Sequence, residues 1–419
     1  MSETEEVQAK KALVQRVREM GFREASALEH ESLRVLIDDT GSFCPELCNT
    51  QDSRRLNAHW VPYFRANSPE PYSDSKNGSY WKSEHLYNMA GSFVCFPNYG
   101  TGHILDGIMH PVNGWTANEK WNFVKSGKDL ESGAIWTLST MESPDTKMPL
   151  SFRKVDALVP GESVLYSALK ITNNGSKEVE ITGGAQSLIG APFFSPLCHI
   201  SASAKEWIVP PVGSEYDATS RLAAGKEFIS LSRAPLASGG ETDISVAGGP
   251  IGKTDYIMGA IPKSSALGWE AVVNPVLKLV YLNFFPGPLG IEESNDVPIY
   301  FNHILLQYGG RSWAPWAPYE GGTDISYCLG IGGATSAWTA GLEYSCAAKK
   351  VLGSPVTFTI PAKGEKTFCQ GSLFDHYEDN ILDSGIVGVE NEEGKLVCKS
   401  AAAAWRFNAD TSFKVIRRL

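Results

Sequence analysis

The chain has 419 residues, of which 42% are hydrophobic and 11% aromatic, a composition that buries a core and excludes disorder. Its 37 basic and 47 acidic residues leave a formal charge of -10 spread along the chain. Such a surface repels phosphate backbones and anionic lipid, so nucleic-acid and membrane partners are excluded and a neutral ligand fits best. From Met1 to Met20 the chain is charged throughout, without an apolar leader, and no run approaches the roughly 20 apolar residues that cross a bilayer. Within residues 3–20, Ala9, Leu13, Val14, Val17 and Met20 recur near helical spacing and predict a helix that Gly21 stops. That helix is a candidate homodimer contact or a cap on a sheet edge.

Beyond it the pattern changes to short runs rich in Val, Ile, Thr, Phe and Tyr, separated by Gly, Pro, Asn and Ser clusters. Residues 163–172, 177–182, 277–285 and 355–360 are such runs, and Asn173-Asn174-Gly175-Ser176 is a hairpin turn between the first two. A series of this kind needs two stacked sheets to bury its apolar faces. No βαβ alternation occurs, and Gly330-Ile331-Gly332-Gly333, which lacks the lysine of a phosphate loop, reads as a turn. The expected organisation is an N-terminal helix over residues 1–21 and one all-β domain over 22–419. The eight cysteines are scattered, which with the charged N-terminus predicts free thiols in a reducing cytoplasm. Cys44 and Cys48 lack a second pair at ligand spacing, so no metal is expected.

Four segments concentrate chemically useful residues. Residues 54–65 interleave Arg54, Trp60 and Arg65, which could stack on a ligand ring and donate to its oxygens. Residues 95–121 form a glycine-rich loop with Asn98, His103 and His110; Gly100, Gly102, Gly107 and Pro111 argue against the helical geometry a metal site there would need. Residues 183–194 are a strand end that contains Gln186. Residues 313–350 place Trp316, Glu320, Asp324 and Glu343 among aromatics, and a sugar site needs apolar faces beside hydroxyl acceptors.

Taken in order, these segments resemble the aldose 1-epimerase (galactose mutarotase-like) family. Asn57-Ala58-His59-Trp60-Val61-Pro62 is similar to its early Asn…Trp-x-Pro strand. Cys95-Phe96-Pro97-Asn98-Tyr99-Gly100, then His110 and Trp121, follow its Cys-x-Pro-x-x-Gly segment and histidine loop. Ile189-Gly190-Ala191-Pro192-Phe193 resembles its Leu-Gly-x-Pro-Phe strand end, and Gly341-Leu342-Glu343 with Pro361-Ala362-Lys363-Gly364-Glu365 its closing segments. The resemblance covers roughly residues 30–375 and implies a β-supersandwich with an open groove. It further implies interconversion of sugar anomers without a cofactor: a carboxylate takes the C1 hydroxyl proton while an acid protonates the ring oxygen. By the match Glu343 is the base, and His110 binds the sugar and shares the acid role.

Gln186 stands where the family carries a second histidine, and an amide holds an oxygen without supplying a proton. His103, His199 or Tyr99 are alternative acids, and Glu320 and Asp324 alternative groove carboxylates. Two further functions follow from these departures. One is a carbohydrate-binding protein that has lost turnover. The other is a glycoside-cleaving enzyme, which needs two carboxylates across the scissile bond.

Overall fold

The computed structural model describes residues 13–18, 22–62, 65, 70–81, 83–311 and 327–419, and it is built from antiparallel sheets. Among the described residues an eight-stranded sheet runs in the order His199–Ala202, Leu267–Asn274, Leu279–Pro286, Glu365–His376, Val164–Asn173, Leu150–Leu158, Ile135–Glu142 and Asn122–Lys128. A seven-stranded sheet stacks on it, in the order Glu227–Phe228, Glu206–Ile208, Thr254–Ala260, Phe301–Gln307, Cys328–Thr335, Gly183–Ile189 and Ser92–Cys95. Alternation along each strand decides what lies between them. Ile257, Ile304, Leu306, Leu329 and Ile331 point inward from the second sheet against Val272, Tyr281, Leu165 and Phe374 of the first, all buried. Each such side chain stabilises the fold by roughly 1.5–3 kcal/mol. The stacked sheets match the expected all-β architecture.

The other face of the eight-stranded sheet is apolar too. Val164, Tyr166, Ala168, Val280, Leu282 and Phe284 pack there against Leu396, Cys398, Phe407, Phe413 and Ile416. The C-terminal meander of Gly388–Glu392, Lys395–Lys399 and Ala404–Asn408, with the helix Lys414–Arg418, therefore acts as the cover of that sheet. On the outward face of the seven-stranded sheet, Met258, Ala260 and Phe301 pack in a cluster with Ala337, Trp338 and Val356.

Two expectations are corrected. Leu13–Arg18 is a strand, not the second half of a helix, and it pairs antiparallel with Glu24–Glu29 from Leu13↔Glu29 to Arg18↔Glu24. Residues 1–12 and 19–21 of that expected helix lie outside the described residues. Val14 and Val17 are β-branched, and the edge of Glu24–Glu29 offers backbone partners that outweigh a weak helical spacing. Arg16 then reaches the Asp39 carboxylate at 2.6 Å and lies over the Phe123 ring.

The second correction is the glycine run at 330–333, which lies inside the strand Cys328–Thr335 rather than in a turn. A Cβ at Gly332 would stand 2.0 Å from the Ala185 carbonyl oxygen, and one at Gly333 2.4 Å from the Phe285 ring. These glycines serve close approach within the sheet. Among the described residues no helix is long and apolar enough to cross a membrane.

Candidate functional site

Side chains two apart on a strand share a face. On the outward face of the seven-stranded sheet this aligns Thr254 with Tyr256, Leu305 with Gln307, and Gln186 with Leu188. The register sets Thr254 opposite Gln307 and Tyr256 opposite Leu305, while Gly330 pairs with both Leu305 and Leu188. Lacking a side chain, Gly330 keeps the floor open; a Cβ there would come within 3.0 Å of Gln186 Nε2. Above this floor is a cavity of about 510 Å³, a size that suits a small ligand.

Loops raise the walls. Ser83, His85, Leu86 and Met89 come from the short helix Glu84–Asn88 and its flanks. Ser83 caps that helix by accepting from the Leu86 backbone N–H. Two buried arginines hold it from behind. Arg23 donates to the Tyr87 carbonyl at 3.3 Å and to Asn88 Oδ1 at 3.0 Å, and Arg65 donates to the Asn88 carbonyl and to the Asp38 carboxylate.

A second wall carries Gly100, Thr101, Val112 and Asn113. Asn113 Oδ1 accepts from the Gly100 N–H at 3.1 Å, so its Nδ2 donates to His85 Nε2 at 3.2 Å. His85 Nδ1 in turn donates to the Ala117 carbonyl, and burial pushes this imidazole down to about 4, which keeps it neutral.

The remaining lining includes Glu215, Tyr216, Thr219, Arg311 and Thr339. Among the described lining residues Glu215 and Arg311 are the charged ones; every other polar group is a hydroxyl, an amide or the neutral His85. Gln307 is buried, and its Oε1 has no hydrogen-bond partner among the described residues. The Tyr256 hydroxyl sits 2.6 Å from His303 Nδ1, and its ring stacks on Tyr216 with centroids 5.6 Å apart. Burial holds His303 down to about 3. The Glu215 side chain still meets solvent, but protein crowds around it and raises its pKa above the usual carboxylate value, while hydrogen bonds from Thr339 and Tyr216 offset part of that shift.

No protein-family model and no curated protein matches the chain. Solved structures do. A candidate aldose 1-epimerase from Klebsiella pneumoniae superposes with a TM-score of 0.60 at 13% identity, covering 88% of this chain and 85% of that one. A galactose mutarotase-like protein from Clostridium acetobutylicum gives 0.56 at 14% identity, over 88% of this chain and all of its own. A candidate aldose 1-epimerase from Escherichia coli K12 gives 0.52 at 12% identity, with 88% and 100% covered. The fold is galactose mutarotase-like. At such identities the likeness extends to the fold alone.

Within this mutarotase-like fold, Gln186 is the one described residue among the expected site residues that lines the cavity. Trp316, Glu320 and Asp324 lie outside the described residues. His110 is fully buried, stacked between His103 and Trp115 at centroid distances of 5.2 and 5.7 Å. Burial, with a smaller contribution from His103, pushes it down to about 4. It alternates inward from the strand Ile108–His110, whose hairpin with His103–Leu105 turns at Asp106 and Gly107, so it packs as a core ring. Glu343 is exposed on the helix Gly341–Ala348, and its backbone N–H donates to His103 Nε2 at 3.2 Å. The expected acid–base pair thus gathers around the His103 hairpin and not in the cavity.

The other expected binding residues are structural neighbours of the cavity or remote from it. Asn98 is buried and clamps two segments: its Nδ2 donates to the Thr101 and Pro111 carbonyls at 3.0 Å, and its Oδ1 accepts from the Leu342 N–H at 2.8 Å. Trp60 packs with Met89, Phe93 and Leu188 beneath the rim. Arg65 acts through the helix Glu84–Asn88, as described above. Arg54 is committed to Asp52 at 2.7 Å and to the Leu277 carbonyl.

Sequence reasoning missed Glu215, Tyr256 and Gln307. Gln307 left a trace as a polar residue closing the apolar strand Phe301–Gln307, and Glu215 follows the Pro210-Pro211 break of a loop.

Proposed function

We propose that the cavity binds a neutral sugar. The observation that carries this reading is the lining itself. Uncharged hydroxyls and amides (Thr254, Gln307, Gln186, Asn113) stand beside apolar and aromatic surfaces (Leu188, Leu305, Met89, Tyr256). A sugar ring offers a C–H face to the second set and a rim of hydroxyls to the first. The names of the fold neighbours, aldose 1-epimerase and galactose mutarotase-like protein, support the same ligand class.

A second reading, anomer interconversion, is favoured by Glu215. Ring opening needs one group to take the C1 hydroxyl proton and another to protonate the ring oxygen, each contributing roughly 10²- to 10⁴-fold. Glu215 is the described lining carboxylate for the first of these roles. Among the described lining residues a second proton donor is not evident: burial holds the Tyr256 hydroxyl well above its usual pKa and it is hydrogen-bonded to His303 Nδ1, and the Gln186 amide cannot transfer a proton. Glycoside cleavage would need a second carboxyl beside Glu215, and its candidates Glu320 and Asp324 lie outside the described residues.

Anomeric exchange of free aldoses, followed by NMR saturation transfer with the wild type and Glu215→Gln, tests both readings. Ligand-induced shifts without accelerated exchange are expected for recognition alone. Acceleration lost in Glu215→Gln would establish the mutarotase. An absence of shifts and of acceleration with every aldose would overturn the sugar reading.

A further inference from the structure

Thr101, Glu215 and Thr339 border a second cavity as well, of about 240 Å³. Pro211, Val212, Ser214, Trp338 and Tyr344 are among the residues on its other sides. The Trp338 and Tyr344 rings pack with centroids 5.1 Å apart. Both line the cavity, Trp338 buried at 6% exposed and Tyr344 accessible at 44%.

The partition between the two cavities is fixed by the backbone. The Thr101 N–H and hydroxyl both donate to the Thr339 carbonyl, at 2.8 and 2.9 Å, and Gly100 bridges to Ala340. Gly100 holds φ at 93°, and a Cβ there would lie 2.3 Å from the Thr339 carbonyl oxygen. That approach is open only to glycine. The spacing of the two cavities is therefore set by the fold, and Glu215 sits where they meet.

We propose that the site takes a saccharide of at least two rings, the first in the main cavity and the second against Tyr344, with the linkage passing Glu215. This rests on the sugar reading above and names the size of its ligand. The lining of the second cavity has both kinds of group a sugar ring needs: the aromatic and apolar Tyr344, Val212 and Pro211, and the polar Ser214, Thr339 and Glu215. Among the described residues no lysine or arginine lines it, and the Glu215 carboxyl disfavours a phosphate or nucleotide extension.

Calorimetric titration of the intact chain with glucose, galactose, maltose, cellobiose and lactose tests the proposal, using the wild type and Tyr344→Ala. At least one disaccharide is expected to bind roughly tenfold tighter than its component monosaccharides. Tyr344→Ala removes most of that gain and leaves monosaccharide affinity unchanged; the exposed position and an unaltered melting temperature serve as the folding control. Monosaccharides that bind as tightly as every disaccharide, or a Tyr344→Ala variant that weakens both alike, would overturn the two-ring ligand while leaving the sugar reading intact. Absence of binding by all five sugars would overturn both.

Discussion

Gln186 and Glu343 differ in their place relative to the cavity. Gln186 faces the cavity floor beside Gly330, whereas Glu343 is exposed on a helix outside it. Replacing Gln186 with Ala removes a hydrogen-bonding group and is expected to weaken sugar binding roughly 3- to 10-fold. Glu343→Gln is expected to leave affinity and any anomeric exchange unchanged in the same titration; a loss there would return the acid–base role to Glu343.

A third residue tests the interior. Glu270 is fully buried, and burial raises its carboxyl to about 8 although Asn302 donates to Oε1. Its folded pKa lies above the unfolded value near 4.5, so folding favours the protonated form. The stability this provides is fully present below pH ~4.5 and is lost as pH rises toward 8. Glu270→Gln keeps an acceptor for Asn302 and cannot ionise. Its stability relative to the wild type is expected to grow by a few kcal/mol between pH ~4.5 and ~8, as read by urea unfolding. An advantage independent of pH would contradict this.

At the level of elements, the two sheets were legible in the sequence because strand periodicity is a local signal. The hairpin expected at 173–176, by contrast, does not form: Val164–Asn173 pairs with Leu150–Leu158 and Glu365–His376, and Val179–Ile181 with Phe358–Ile360. Runs 163–172 and 277–285 correspond to Val164–Asn173 and Leu279–Pro286. The N-terminal strand was not legible, since its conformation follows from a free edge that only the folded sheet supplies. Glycine in a short apolar run reads equally as turn or close approach, and only the neighbouring Ala185 and Phe285 decide for the segment 330–333. The cavity was the least legible part, because Met89, Asn113, Glu215 and Gln307 are brought together from distant loops and strands. Buried aromatic histidine stacking, as at His110, cannot be told from a catalytic histidine by sequence order.

Two predictions belong at this scale. Gly332→Ala forces a Cβ against the Ala185 carbonyl and is expected to destabilise the fold by roughly 1–3 kcal/mol or more in urea unfolding, with no change if the strands can part. Arg65→Met leaves Asp38 buried without that guanidinium and is expected to lower stability by about 3–5 kcal/mol, and Asp38→Leu added to it recovers much of the loss.

Over the whole molecule, burial sets the response to acid. His59, His85 and His110 are pushed down to about 4 and His303 to about 3, all chiefly by burial. Unfolded histidines titrate near 6.5, so between pH ~6.5 and ~4 the unfolded chain binds more protons than the folded one. Stability is therefore expected to fall as pH drops through that window, by up to about 1.4 kcal/mol per pH unit for each histidine, with Glu270 opposing by one proton. Melting temperatures measured from pH 7 to 4 check this, and a flat profile would contradict it. The same burial that makes these imidazoles poor proton donors near neutral pH leaves the cavity to hydroxyls, amides, Arg311 and Glu215.

The most direct test of the central claim is a binding isotherm for free aldoses and disaccharides with the wild type and Gln186→Ala. The account predicts saturable binding by the wild type that weakens several-fold in the variant without loss of fold. Absence of binding by any sugar, or an affinity indifferent to Gln186, would contradict a sugar site on this sheet face.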